Sequence, residues 1–336
     1  MTETEGAEDP IEIEDIGSNP DPRRPIGEMI AARLSRRGLL GAAALLPALP
    51  AVAQDSGNTP NGGPSSLGFP ELRHQLSQRD AVAEGHEIQL VIRWGDPILP
   101  DAPEHDPHRQ TAEAQARQFG YNNDYLDFFP LPQGSKAADR GLLVVNHEYT
   151  NTNLMFPGLG AGRQAGSRAS AEQGAVERAA HGLSVVKLRR EAGRWSYARD
   201  GRWNRRITLE TPMRISGPAA GHDRLKTAED PTGTRVRGTM NNCAGGNTPW
   251  GTVLTCEENF NVAFGGEAAT TGPQAAAYKR YGIQKDPVYG WRRFDARFDL
   301  DQTPNEPNRF RLGGRVRPLR SRKRAGEAHR ARPLQA

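Results

Sequence analysis

MNNCAGGNTPWGTVLTCEENF, Met240 to Phe260, is a turn-rich segment that runs into a strand. Asn and Gly crowd its first half, where positive-φ turn positions favour them, and Thr252–Cys256 has the β-branched character of a strand. The strand delivers two carboxylates, Glu257 and Glu258. On spacing alone the segment is a β-hairpin with a solvated glutamate pair at its end. A short strand bounded by turn residues is the repeating unit of an all-β chain, and the same pattern recurs on both sides of it.

The strands expected outward from this hairpin are His86–Trp94, Gly141–His147, Leu183–Leu188, Arg194–Tyr197, Arg206–Leu209 and Arg235–Met240, separated by Gly, Pro, Asn and Asp. Helical periodicity is confined to Ala169–Ala180 and Pro273–Tyr281, which read as insertions on loops. Many short strands with long insertions give an all-β protein, either propeller or sandwich, and no repeat at blade period decides between them.

Bulk properties agree. A chain of 336 residues with 36% hydrophobic residues, 37 Gly and 26 Pro is loop-rich and long enough for a large core. The pI near 9.2 suggests a nucleic-acid partner until the charge is located. Residues 1–53 carry net −4 and residues 311–336 net +8, which leaves the overall +4 without any contribution from 54–310. A basic phosphate-tracking surface has no support there, and no nucleic-acid partner is expected.

Leu34-Ser35-Arg36-Arg37-Gly38-Leu39-Leu40 precedes the apolar stretch Gly41–Ala53, which ends in Ala51-Val52-Ala53. This is the pattern of a twin-arginine signal peptide behind an acidic leader. The run contains Pro47 and Pro50 and falls short of the ~20 apolar residues a membrane span needs, so no stable anchor is expected. The partner implied is the twin-arginine export machinery, and the destination is the periplasm or the exterior. That route moves folded proteins, which suits a protein loaded with metal before export. Residues 54–85, rich in Gly, Pro, Ser and Asn, read as a flexible linker.

Four sets of residues carry candidate chemistry. Cys243 and Cys256 can bridge across the hairpin, as exported cysteines usually do, or Cys243 can give a thiolate to a metal beside Glu257 or Glu258. Glu257 and Glu258 alternate faces if the strand stays regular; if it ends there and both converge, cations must neutralise them. Val145-Asn146-His147-Glu148-Tyr149-Thr150 closes an apolar run, a usual way to place ligands at the mouth of a scaffold. There Glu148 is the ligand candidate, and His147 reads as a hydrogen-bonded, half-buried histidine. Ser216–His222 is a Gly-rich turn, and Asn123-Asp124 reads as another turn. No serine nucleophile elbow, P-loop or zincin helix is present, so hydrolysis would have to be metal-based.

At these residues the chain resembles the PhoX family of bacterial alkaline phosphatases. The matching motifs are Gly120-Tyr121-Asn122 through Leu131, Val145–Thr150, His181–Val186, Arg202–Thr208, Gly217–His222 and above all Asn241–Asn259, spanning residues 86–310. The resemblance implies a β-propeller with loop and short-helix insertions, ferric iron and calcium as cofactors, and hydrolysis of small phosphorylated organic substrates as phosphate monoesters. It also implies Glu148, Cys243 and a glutamate of the pair Glu257 and Glu258 as metal ligands. Asn146, His147, His222 and Asn242 would stand behind those ligands as supports. The reading that competes with it is a secreted β-propeller that binds without catalysis.

The family members are longer, and after Phe310 the sequence turns into an arginine-rich tail. Arg311–Pro318 and Gly326–Gln335 can each be back-translated so that the neighbouring frame reads as β-rich sequence. The expectation is a one-base shift near codon 310, with residues 311–336 out of frame. A propeller without its C-terminal half would be left open and inactive.

Overall fold

The computed structural model describes residues 72, 76, 78–136, 138–160, 162–319 and 328–330. The expected signal segment at 1–53 and most of the expected linker at 54–85 lie outside the described residues. The chain divides into two units, Met1–Ile88 and Gln89–Ala336, and the sheets lie in the second.

Two sheets form it. The first is built on β2 (Arg140–His147), which pairs antiparallel with β1 (Asn123–Pro130) and β3 (Gly182–Glu191). β4 (Arg194–Ala198) and β5 (Arg205–Ile207) pair with different parts of β3. Side chains alternate along β2, so Leu142 and Val144 enter a large core with Leu183, Val185, Ile207 and Phe264, while Val145 enters a second core with Ile98, Phe119 and Val186. Burial on both faces explains the unbroken apolar run of this strand. Burying Leu142 completely contributes about 2 kcal/mol by transfer from water.

The second sheet has the order β7-β6-β11-β10-β9-β8. Its strands are β6 (Pro212–Ile215), β7 (Arg235–Arg237), β8 (Asn242–Asn247), β9 (Val253–Glu257), β10 (Gly313–Val316) and β11 (Ala328–Arg330). All pairs are antiparallel except β6 with β11. The hairpin read from the sequence is β8–β9. β10 pairs with β9 from Gly313 opposite Cys256 to Val316 opposite Val253, so residues beyond Phe310 contribute a strand. Gly314 allows this approach, because a Cβ there would lie 2.8 Å from Thr255 Cγ2.

Helices are few, and the protein is all-β in class. α1 (Ala171–Ala180) begins at a capping box in which Ser170 Oγ accepts from Gln173 N and Gln173 Oε1 accepts from Ser170 N. α2 is Ala275–Arg280. Two expectations are corrected. His86–Trp94 forms no strand; within it the Gln89 side chain bonds both the N–H and the C=O of Trp195, replacing a backbone ladder with side-chain contacts. Asn123-Asp124, read as a turn, opens β1, because tertiary pairing with β2 outweighs local turn preference. Among the described residues no helix is long and apolar enough to cross a membrane.

Candidate metal centre

Asp124, Glu148 and Cys243 come from three separate segments, and their ligand atoms all lie within 4.8 Å of one another. The placement follows from irregular strand register. β1 slips between Asn123 and Leu126 in its pairing with β2, and β8 slips between Asn242 and Gly245 in its pairing with β9. Bulges of this kind re-aim side chains, and Asp124 and Cys243 each sit inside one. β1 and β8 approach closely at Gly245, where a Cβ would lie 2.4 Å from the Tyr125 ring. Asn247 Nδ2 fixes their alignment by donating to Asp127 Oδ2 at 2.6 Å.

Glu148 follows β2 directly. Its N–H donates to the carbonyl of Asn122, a residue held at φ 48°, so the strand end and the loop before β1 are tied together. Two residues on, Thr150 N donates to Tyr289 Oη at 3.0 Å. Tyr289 stacks on Trp291 at 4.2 Å, and Trp291 Nε1 donates to the buried Glu177 at 2.7 Å. Burial pushes the Glu177 carboxyl up to about 7.

Cys243 is held through its backbone. Asn146, fully buried at the end of β2, donates from Nδ2 to the Cys243 carbonyl at 2.7 Å. Asn146 Oδ1 accepts from Thr255 Oγ1, and Thr255 Oγ1 accepts from Asn242 Nδ2. The same Asn242 amide donates to Thr239 Oγ1, which donates to Glu257 Oε1 at 2.8 Å. Asn146 and Asn242 thus join both sheets beneath the cluster.

The Cys243 thiol is pushed up by burial and then by its neighbours Asp124 and Glu258. A cation bound among them would reverse that effect, because it would stabilise thiolate and carboxylates together. Both Cys243 and Cys256 are free thiols, so the disulfide weighed from the sequence does not form.

The glutamate pair divides. Glu257, the last residue of β9, is buried, with Oε1 taken by Thr239 and Oε2 accepting from Leu312 N at 3.2 Å. The structure does not bring it into the cluster. Glu258 lies just past the strand end, exposed and beside Cys243, with its N–H on the Asn241 carbonyl. His147 is fully buried; its Nε2 meets Ser184 Oγ at 2.7 Å and its ring meets Phe119 edge-on. Desolvation and nearby Arg206 hold its pKa well below the usual value, so it is neutral. His222 is exposed and uses Nδ1 to cap Asp223–Leu225 by accepting from Arg224 N, so it supports no ligand of this cluster. Asp124, a turn residue by local pattern, becomes a ligand candidate only once the β1 bulge is formed.

Two carboxylates and a thiol delivered from strand ends and bulges define a sheet-built protein with the donor set for a multivalent cation. Residues 67–317 match the family described as alkaline phosphatase PhoX, and the chain belongs to that family. A solved structure, Pseudomonas fluorescens PhoX in complex with vanadate, a transition state analogue, is 39% identical with a TM-score of 0.66. The match covers 74% of this chain and 41% of that one, so the chain spans about two fifths of that relative's length. No curated protein matches the chain.

Proposed function

We propose that this chain supplies part of the cation centre of a phosphatase that hydrolyses phosphate monoesters of small organic molecules in the cell envelope, with iron and calcium as its ions. The observation that carries the reading is the convergence of Asp124, Glu148 and Cys243 within 4.8 Å. The donor set fits: a thiolate favours iron or another transition metal, and carboxylates also accept calcium. Family membership supports the phosphoester assignment, and vanadate in the solved relative imitates a phosphoryl group in transfer.

When bound, such cations supply positive charge that orients a phosphoryl group and offsets charge developing in the transition state. The residues of this chain bind and position. Asp124, Glu148 and Cys243 would hold the ions, and Glu258 adds negative charge beside Cys243. Asn146 fixes the Cys243 backbone, and the Thr150–Tyr289 bond fixes the loop carrying Glu148. Two further assignments belong to the proposal: the two sheets are blades of a β-propeller with helical insertions, and residues 1–53 direct twin-arginine export.

The test is metal analysis of the purified chain with turnover of an aryl phosphate. Iron is expected to fall to background in Cys243→Ala and calcium or iron to fall in Glu148→Gln. Any turnover the chain shows should be lost on chelation and return only with both ions. Unchanged metal content in both variants, or full turnover in chelated protein, overturns the proposal.

A further inference from the structure

A cleft of about 780 Å³ opens where β9 and β10 meet the loops around Arg224 and Arg280. It shares no lining residue with Asp124, Glu148 and Cys243, and its volume is in the range of small-molecule sites. Its wall is aromatic: Phe260 and Tyr281 meet edge to face at 5.9 Å, and Phe310 also lines it. Its rim is cationic. Arg224, Arg280 and Arg311 are all exposed, and among the described residues none of these three guanidinium groups has an acidic partner. The carboxylate in the lining, Glu257, is already occupied by Thr239 and Leu312 N.

Arg311 is placed there at a conformational cost. It has φ 61°, a left-handed conformation that a long side chain adopts rarely. On either side Phe310 is buried and Leu312 N is bound to Glu257, so neighbouring contacts hold the strained residue at the cleft. Three unneutralised guanidiniums over an aromatic wall suit an oxyanion with an apolar body, since guanidinium forks bind carboxylates and tetrahedral oxyanions by paired charge-assisted bonds, and a dianionic head uses more of the three charges.

We propose that this cleft binds an organic anion with a dianionic phosphate or phosphonate head and an apolar body, independently of the cation centre. The head lies among Arg224, Arg280 and Arg311, and the body rests on Tyr281 and Phe260.

The experiment titrates the full chain, kept in chelator, with phenylphosphonate and separately with inorganic phosphate, by calorimetry. The free thiol of Cys256, which lines the cleft, reports location through its protection from alkylation in peptide-level mass spectrometry. Phenylphosphonate is expected to bind at least about tenfold more tightly than phosphate. It should also protect Cys256 and leave Cys243 unprotected. Arg280→Gln and Arg311→Asn should each weaken binding about tenfold. Asn tolerates the left-handed backbone, so the second variant removes charge without added strain. No binding in chelated protein, equal affinity for the two probes, or affinity unchanged in both variants overturns the proposal. Metal content, measured on the same variants before chelation, bears on the cation centre alone.

Discussion

Replacing Asn146 by Ala tests whether the cluster is held by the polar chain beneath it. Asn146 is fully buried and makes two bonds of consequence, to the Cys243 carbonyl at 2.7 Å and from Thr255 Oγ1 at 3.1 Å. Each ordinary bond contributes about 1 kcal/mol net, and stranding a buried partner adds about another. Thr255 keeps Asn242 as a partner, so the stranded group is chiefly the Cys243 carbonyl. The expected loss is therefore about 3 kcal/mol, roughly a hundredfold in the unfolding equilibrium. Urea unfolding monitored by fluorescence should show a lower midpoint with an unchanged slope. Because the bond fixes Cys243 itself, iron content should fall in parallel under conditions where the variant remains folded. A midpoint shift equivalent to less than about 1 kcal/mol, with iron retained, would refute the claim that Asn146 positions Cys243.

Glu177 offers a pH test. Burial raises its carboxyl from 4.5 to about 7, so the folded state binds the proton more tightly than the unfolded state. Its contribution to stability is present at low pH and is lost as pH rises from about 4.5 through about 7. His181, bonded through Nδ1 to the Glu177 carbonyl, is lowered by burial to about 4 and acts in the opposite sense, losing stability as pH falls from 6.5. Glu177→Gln should therefore gain stability relative to the parent as pH increases across 4.5 to 7, with a constant difference above; unfolding midpoints showing no pH-dependent difference would sink this account. Gly120→Ala tests packing: its Cβ would lie 2.4 Å from the His147 ring and 2.6 Å from the Ala180 carbonyl. The expected cost is about 2 kcal/mol or more, seen as a lower urea midpoint, and a midpoint equal to the parent's would contradict the packing described.

The chemical candidates were legible where chemistry and local pattern coincide. Glu148 ends an apolar strand, and Cys243 sits in an Asn- and Gly-rich turn, so local pattern alone marks both. Asp124 did not, because Asn-Asp reads locally as a turn and only the β1 bulge re-aims it. The glutamate pair shows the same limit. Alternation says that one of Glu257 and Glu258 points inward, but the bonds from Thr239 and Leu312 N make Glu257 the buried one. Local pattern makes His147 a half-buried residue, whereas close packing between Phe119, Gly120 and Ser184 buries it completely.

Short-range order was set by the sequence itself: the β8–β9 hairpin and the capped start of α1 rest on contacts close in the chain. Tertiary structure decided which donors share a space, because bulge position depends on the partner strand, and the partner strand is chosen by burial across the whole unit. The cleft at Arg311 is of the second kind, since its walls are far apart in the chain and local preference opposes the backbone that completes it.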